Sequence, residues 1–360
     1  MNDDPRGAGK SVGDSVLLVA GVVIILGGAT LASAIVVPFL LSLFITIISL
    51  VPVEALTRRG FPTWLSLLIV VAGMLVFFAA IFIIVGSAGA AFTANLPGYQ
   101  AELQALIASV SSWFDARGVD VSASGLRDVL NPERIVSFFQ GFIGDIGGAL
   151  SNIMLIVFTV MFMLSDTSLI KQKLAWHQQQ HSAVEGQLGG LSDLVVLLST
   201  YTKIMAAVSL LTGFLIWLGL SLMGIKYPVL WGLLAFLLNF IPTIGSIIAA
   251  FPVLLLALLS LDPVLLLMII ALYLIVNTVV GNFIQPIWMG DEVGLSTLIV
   301  FLSMVFWGWL FGPVGMLLSV PLTIAVKFLS LRNPNTLWLA VLLSNKVEET
   351  TASATPAAVD

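Results

Sequence analysis

The sequence predicts an all-α integral membrane protein: a polytopic helical bundle with about eight membrane segments, two of them broken by Pro and Gly, plus a small helical extracytoplasmic insertion. Two observations carry that prediction. First, 59% of the 360 residues are hydrophobic and 9% are charged, with a mean hydropathy of +1.12, against roughly 25% charged in soluble domains. From Ile204 to Val326 the only charges are Lys226, Asp262, Asp291 and Glu292, and no soluble fold covers so much apolar surface. Second, two stretches share one design, IPTIGSIIAAFP (Ile241 to Pro252) and FGPVGMLLSVP (Phe311 to Pro321): a Pro/Gly break, a short apolar run, another proline. A bilayer core offers freed backbone groups no water, so a break persists only where protein or a water-filled cavity satisfies them. Matched broken segments point to the substrate site of a transporter.

The elements follow in order. Residues 1–14 form a cytoplasmic tail. The apolar run from Val16 to Val37 exceeds the ~7 to 15 residues of a signal-peptide core and has no small-residue cleavage motif before Pro38, so it reads as a retained span. Spans one to three occupy 15–86: Ser15 to Val37, Phe39 to Leu56 and Thr63 to Val85. The extracytoplasmic insertion, 87–146, holds Leu103, Leu106, Ile107, Val110 and Phe114 at the i, i+3, i+4, i+7 spacing of an amphipathic helix, which Gly118 ends. Asn131-Pro132 then has the form of an N-cap with proline at the first helical position. Span four runs over 147–164. A cytoplasmic segment, 165–203, carries the polar run HQQQHSAVEGQ and a helix start at Ser192. The transmembrane core, 204–330, contains simple spans at Ile204 to Met223 and Val264 to Phe283, and the broken segments at 229–259 and 295–329. The cytoplasmic tail, 331–360, ends in small polar residues that support no packed structure.

Lys and Arg set the sides of the membrane. With both termini cytoplasmic, ten of the 14 basic residues lie inside, as the positive-inside rule requires. Each broken segment is too long for one simple crossing and fits either a kinked helix or a re-entrant hairpin. The central position of each break favours hairpins, the first opening outside and the second inside, with their tips meeting near the midplane.

Chemistry-bearing motifs are sparse. The chain has no cysteine, which excludes thiolate metal sites and disulfides. GAGKS at Gly7 to Ser11 lacks the first glycine of a P-loop, since Asp4 stands there, and no strand precedes it. His177 and His181 share the i, i+4 spacing of zinc-enzyme helices, but Gln178 replaces the glutamate and the stretch is hydrophilic. No metal, cofactor, catalytic residue or nucleic-acid partner is expected. Acids at membrane depth are functional by default, because burial costs about 2.5 to 3.5 kcal/mol on insertion scales. Glu54, Asp262 and Asp291 are the candidates for ion coupling, all near span ends, and Glu54 is spaced to pair with Arg58.

Uncharged polar groups are better placed for recognition. Asn239 stands three residues before Pro242, while Thr243 and Ser246 flank the first break, and Asn277, Asn282 and Gln285 run along the end of the sixth span into Pro286. Of these, Asn239, Thr243, Asn282 and Gln285 form the candidate substrate-binding set with the break residues Pro242, Gly245, Pro313 and Gly315, side-chain amides being able to bind hydroxyls or, with freed carbonyls, a cation. GxxxG spacings at Gly144 to Gly148 and Gly308 to Gly312 permit close helix packing. Trp217, Trp231, Trp288, Trp307 and Trp309 are expected as interfacial anchors.

Asn239-Phe240-Ile241-Pro242-Thr243-Ile244-Gly245 with Pro252, Gly281-Asn282-Phe283-Ile284-Gln285-Pro286 leading to Val293-Gly294-Leu295, and Gly312-Pro313-Val314-Gly315 to Val320-Pro321 resemble the bacterial autoinducer-2 exporter (AI-2E) family. The resemblance extends over almost the whole chain. It implies an inner-membrane, homo-oligomeric transporter whose namesake activity is export of autoinducer-2, a quorum-sensing signal, with sodium/proton exchange in some relatives. Relatives often carry His-Pro where this chain has Ser296-Thr297, and Gly-Gln where it has Tyr201-Thr202-Lys203. The leading expectation is alternating-access export of a small polar solute. A cation/proton antiporter and a passive channel or membrane scaffold are the alternatives.

Overall fold

A computed structural model of the chain describes residues 12–95, 152–180, 185–242, 244–259, 263–289, 294–332 and 336–345, with isolated positions at 98–116 and residue 141. All its named elements are helices: α1 Val12–Leu31, α2 Ser33–Arg58, α3 Thr63–Ala94, α4 Ile153–Gln180, α5 Glu185–Leu222, α6 Pro228–Leu238, α7 Ile244–Leu259, α8 Pro263–Val276, a π-helix Asn277–Ile284, α9 Gln285–Met289, α10 Thr297–Leu331 and α11 Leu337–Leu343. Among the described residues, five stretches are long and apolar enough to cross a membrane: Ser33–Arg58, Thr63–Ala88, Asp193–Leu222, Pro263–Met289 and Thr297–Leu331. Exposed Ile24, Val76, Phe82 and Phe162 on the outer helix faces suit hydrocarbon as the solvent. The fold is therefore that of a multi-pass helical membrane protein.

Several boundaries differ from the sequence reading. The first two helices part at Ala32 rather than Pro38, which lies inside α2. There Ser42 Oγ donates to the Pro38 carbonyl (2.7 Å) and reaches the Ile156 carbonyl of α4 (3.4 Å), so a hydroxyl serves the backbone around the proline and ties two helices. α3 continues past Val85 to Ala94, and α5 starts at Glu185, seven residues before Ser192. Most of the expected insertion, including Gly118 and Asn131-Pro132, lies outside the described residues, as do Thr243, Asp262, Asp291 and His181.

Both Pro/Gly segments double back. In the second, Gly312 adopts φ 66, ψ −151 inside α10, a conformation that favours glycine. Trp307 Nε1 then donates to Thr323 Oγ1 at 3.0 Å although the two are 16 positions apart; a straight helix would separate them by about 24 Å. Lys327 Nζ donates to the Gly294 carbonyl (2.7 Å), closing the outer ends of the segment. In the first, α6 and α7 are separated by residues 239–243, and Ile225 and Lys226 before α6 share one small pocket with Leu256 and Ala257 at the end of α7.

The first doubled segment packs on α5 backbone to backbone. A Cβ on Gly213 would lie 2.7 Å from the Gly232 carbonyl oxygen, and one on Gly232 would lie 2.8 Å from that of Gly213. Around this contact Ile216, Leu220, Trp231, Val253 and Ile269 form the largest buried cluster. Trp231 and Trp307 are not interfacial anchors: each indole N–H is satisfied internally, Trp231 by the Lys226 carbonyl at 2.8 Å and Trp307 by Thr323. Likewise Gly308 packs against Met316 of its own doubled segment, so the spacing Gly308 to Gly312 serves the turn.

Candidate functional site

A cavity of about 790 Å³ forms where the first break meets the π-helix. Asn239 follows α6 as its C-cap, and its Nδ2 donates to Ser209 Oγ of α5 at 3.0 Å. Phe240 turns the other way, edge-on to Phe236 and to Phe44 of α2 at centroid distances of 5.9 and 6.2 Å. With Phe240 anchored in that aromatic cluster, Asn239, Ile241 and Pro242 are left facing the cavity. Gly245 starts α7 with its Cα against the Leu238 carbonyl, where any Cβ would overlap that oxygen. Glycine is required there by contact, not by φ.

The opposite contribution comes from the π-helix. Its i→i+5 bonding widens the turn, a feature common at functional sites, and Gln285 N closes it on the Val280 carbonyl. Asn277, Thr278, Gly281, Asn282 and Gln285 all line the cavity, and Gln285 Nε2 approaches Met205 Sδ of α5 at 3.5 Å. The remaining wall includes Tyr201 from α5, Val300 and Val320 from α10, and Asn345. Asn345 is held in place because its backbone N–H shares the Gly294 carbonyl with Lys327 (3.1 Å) and Leu295 pairs with Ser344.

Of the eight residues expected to bind substrate, Asn239, Pro242, Asn282 and Gln285 come together in this cavity. Thr243 is outside the described residues. Gly245 supports the turn behind Pro242. Pro313 and Gly315 form the second tip and are not among the lining residues; Gly315 meets the Trp307 carbonyl as Gly245 meets that of Leu238. Glu54 is exposed near the end of α2 and does not line the cavity. Every cavity-lining residue described is uncharged, and the described residues contain no cluster of His, Cys, Asp or Glu able to hold a metal ion.

Sequence reasoning passed over Tyr201, Met205 and Asn345, and named Asn277 among the polar groups of the sixth span without placing it in the binding set. Asn277 carried a signal, as an amide in an apolar run one turn before Gly281. Asn345 carried none, since only the tertiary pairing of Leu295 with Ser344 brings it to the cavity.

Comparison with known proteins agrees with the resemblance. The sequence model of a family described as "AI-2E family transporter" matches residues 19–332. The chain is 36% identical over 334 residues to the AI-2 transport protein TqsA of Escherichia coli K12, covering 93% of this chain and 96% of that protein. It is 38% identical over 346 residues to a putative transport protein of Haemophilus influenzae, covering 92% and 96%. A more distant relative, the putative transport protein YrrI of Bacillus subtilis, is 26% identical over 310 residues, with 81% and 84% covered.

Proposed function

The chain belongs to the AI-2E family of transporters, and from that premise we propose that it exports a small polar solute across the bacterial inner membrane by alternating access, binding it in the 790 Å³ cavity. The observation that carries this reading is the convergence of the first break with an amide-rich π-helix around one uncharged cavity. Broken backbone within membrane depth is tolerated where it lines such a cavity, and the amides offer donors and acceptors to hydroxyls or carbonyls. Because the relative TqsA is named an AI-2 transport protein, autoinducer-2 is the first solute to test.

In this reading both termini are cytoplasmic, and the doubled-back segments are re-entrant hairpins entering from opposite faces. Together with α1 to α5 and the α8–α9 crossing they make eight membrane segments. The Trp307–Thr323 and Lys327–Gly294 bonds support the second hairpin. Under that topology the cavity runs from the tip of the first hairpin, near mid-depth, to Met289, Gly294 and Asn345 at the cytoplasmic end. That is the geometry of an inward-facing state, closed to the outside by the first hairpin. The test is flux of autoinducer-2 into and out of proteoliposomes. Pro242→Ala, Asn239→Ala and Gln285→Ala are each expected to lower flux; unchanged flux in all three, with the protein folded, would overturn the site.

A further inference from the structure

A groove of about 530 Å³ runs between α2 and α3 and shares no lining residue with the solute cavity. Ile48, Pro52 and Ala55 of α2 and Arg59, its C-cap, form one wall; Gly73 and Phe77 belong to the wall from α3. Small side chains leave the space. A Cβ on Gly73 would meet nothing within 4 Å, so this glycine keeps the groove open rather than bringing two backbones together. Ser49, a polar residue along the wall, is buried, and its hydroxyl donates to Met74 Sδ at 3.5 Å.

The two ends of the groove differ. From Ile48 to Arg59 the chain advances about 16 Å along the helix, close to the ~15 Å of hydrocarbon in one leaflet. Arg59 puts a cation at one end, and Arg58 stands beside it, exposed. Glu54 is spaced to pair with Arg58 and lies about 140° around the helix from Arg59. Trp64, 66% exposed at the start of α3, has the position of an anchor at headgroup level. At the other end Phe77 lies edge-on to Phe236 of α6, with ring centroids 6.3 Å apart, and Phe236 is edge-on to Phe240.

We propose that this groove binds an anionic phospholipid of the surrounding membrane, one acyl chain lying between α2 and α3 and the phosphate at Arg59. A guanidinium pairs well with phosphate oxygens, and basic residues at the membrane surface attract anionic lipid. A helix from a second copy would fill the apolar length but bring no phosphate to Arg59. The bound chain backs Phe77 and so supports the aromatic cluster that anchors the first tip. That the Arg59 end lies in the cytoplasmic leaflet rests on the topology proposed above; the groove and its charge do not.

The test titrates the full chain in detergent with phosphatidylglycerol or with phosphatidylethanolamine of the same acyl chains, and counts bound lipid by native mass spectrometry. Native protein is expected to hold phosphatidylglycerol roughly fivefold more tightly. Arg59→Gln should abolish that preference, and Arg58→Gln should keep it. Gly73→Leu fills the groove and should weaken both lipids roughly tenfold. Its unfolding temperature without lipid should be unchanged or higher, because leucine is the better helix former. Phosphatidylglycerol should raise the unfolding temperature of native protein but not that of Gly73→Leu. Equal binding of the two lipids by native protein overturns the proposal, as does a preference that survives Arg59→Gln, or native-level binding by Gly73→Leu. A changed number of chains per particle in Gly73→Leu, with lipid binding unaltered, assigns the groove to a second copy and overturns it as well. None of these readouts involves solute flux, so a negative result leaves the transport reading standing.

Discussion

The two Pro/Gly breaks are built alike at the turn and held differently by the rest of the protein. In each, a glycine on the returning limb lies against a carbonyl of the outgoing one, Gly245 on Leu238 and Gly315 on Trp307, with no space for a Cβ. The first segment is then fixed by its neighbours: Gly232 on Gly213 of α5, Asn239 on Ser209 and Phe240 on Phe44. The second carries bonds between its own limbs, Trp307–Thr323, Gly308–Met316 and the Lys327–Gly294 closure, and its returning limb also packs Leu318, Val320 and Ile324 against Phe44, Tyr201 and Met205. The same local chemistry thus yields one tip that lines the cavity and one whose two limbs are tied to each other.

The largest effects should fall where the two breaks agree. Gly245→Ala and Gly315→Ala each place a methyl group on a backbone carbonyl and should each cost about 3 kcal/mol or more, seen as loss of monodisperse protein on size-exclusion chromatography. If only one of the pair is lost, the turns are not equivalent. Next come the contacts that only the first segment has. Gly213→Ala or Gly232→Ala pushes α5 and α6 apart and should destabilise by about 1–3 kcal/mol, measured by thermal unfolding in detergent. Smaller again is the difference between the tips in transport: Asn239→Ala should lower solute flux roughly tenfold by stranding Ser209 and removing a cavity amide, whereas Pro313→Ala should stay within about twofold. Equal loss from both would place the second tip at the site as well.

How much of this could be read beforehand depended on whether the cause was local. Membrane residence followed from composition, and both breaks followed from Pro and Gly at positions where a helix cannot continue undisturbed. The family followed from motifs at those same positions. Asn239, Pro242, Asn282 and Gln285 were recognisable because a polar group or a break in an apolar run is costly enough to need a reason. The π-helix was not recognisable: Asn277 to Ile284 has no composition that distinguishes i→i+5 from i→i+4 bonding. Trp231 and Trp307 misled for a related reason. Their sequence positions near span ends match interfacial anchors, but an indole N–H is satisfied equally well by a carbonyl or hydroxyl inside the protein, and only the fold shows which partner is in reach.

The smallest predicted effect tests whether the second segment is held by its own bonds. Trp307 Nε1 donates to Thr323 Oγ1, while Thr323 donates onward to the Ser319 carbonyl at 2.7 Å. Trp307→Phe removes only the first bond and keeps an aromatic ring to stack on Phe311, now 5.8 Å away with the planes 16° apart. Thr323→Val removes both of the threonine's bonds but keeps its shape. A double-mutant cycle on these two positions therefore isolates the indole–hydroxyl term, expected at about 0.6 kcal/mol and at most about 1.7 for an interhelical bond in a membrane protein. Coupling of that size, with Trp307→Phe changing flux by more than its stability loss explains, would mean that closure of the second segment matters to the transport cycle. Zero coupling would leave its limbs joined by Gly308–Met316 packing and the Lys327–Gly294 bond and remove much of the contrast with the first.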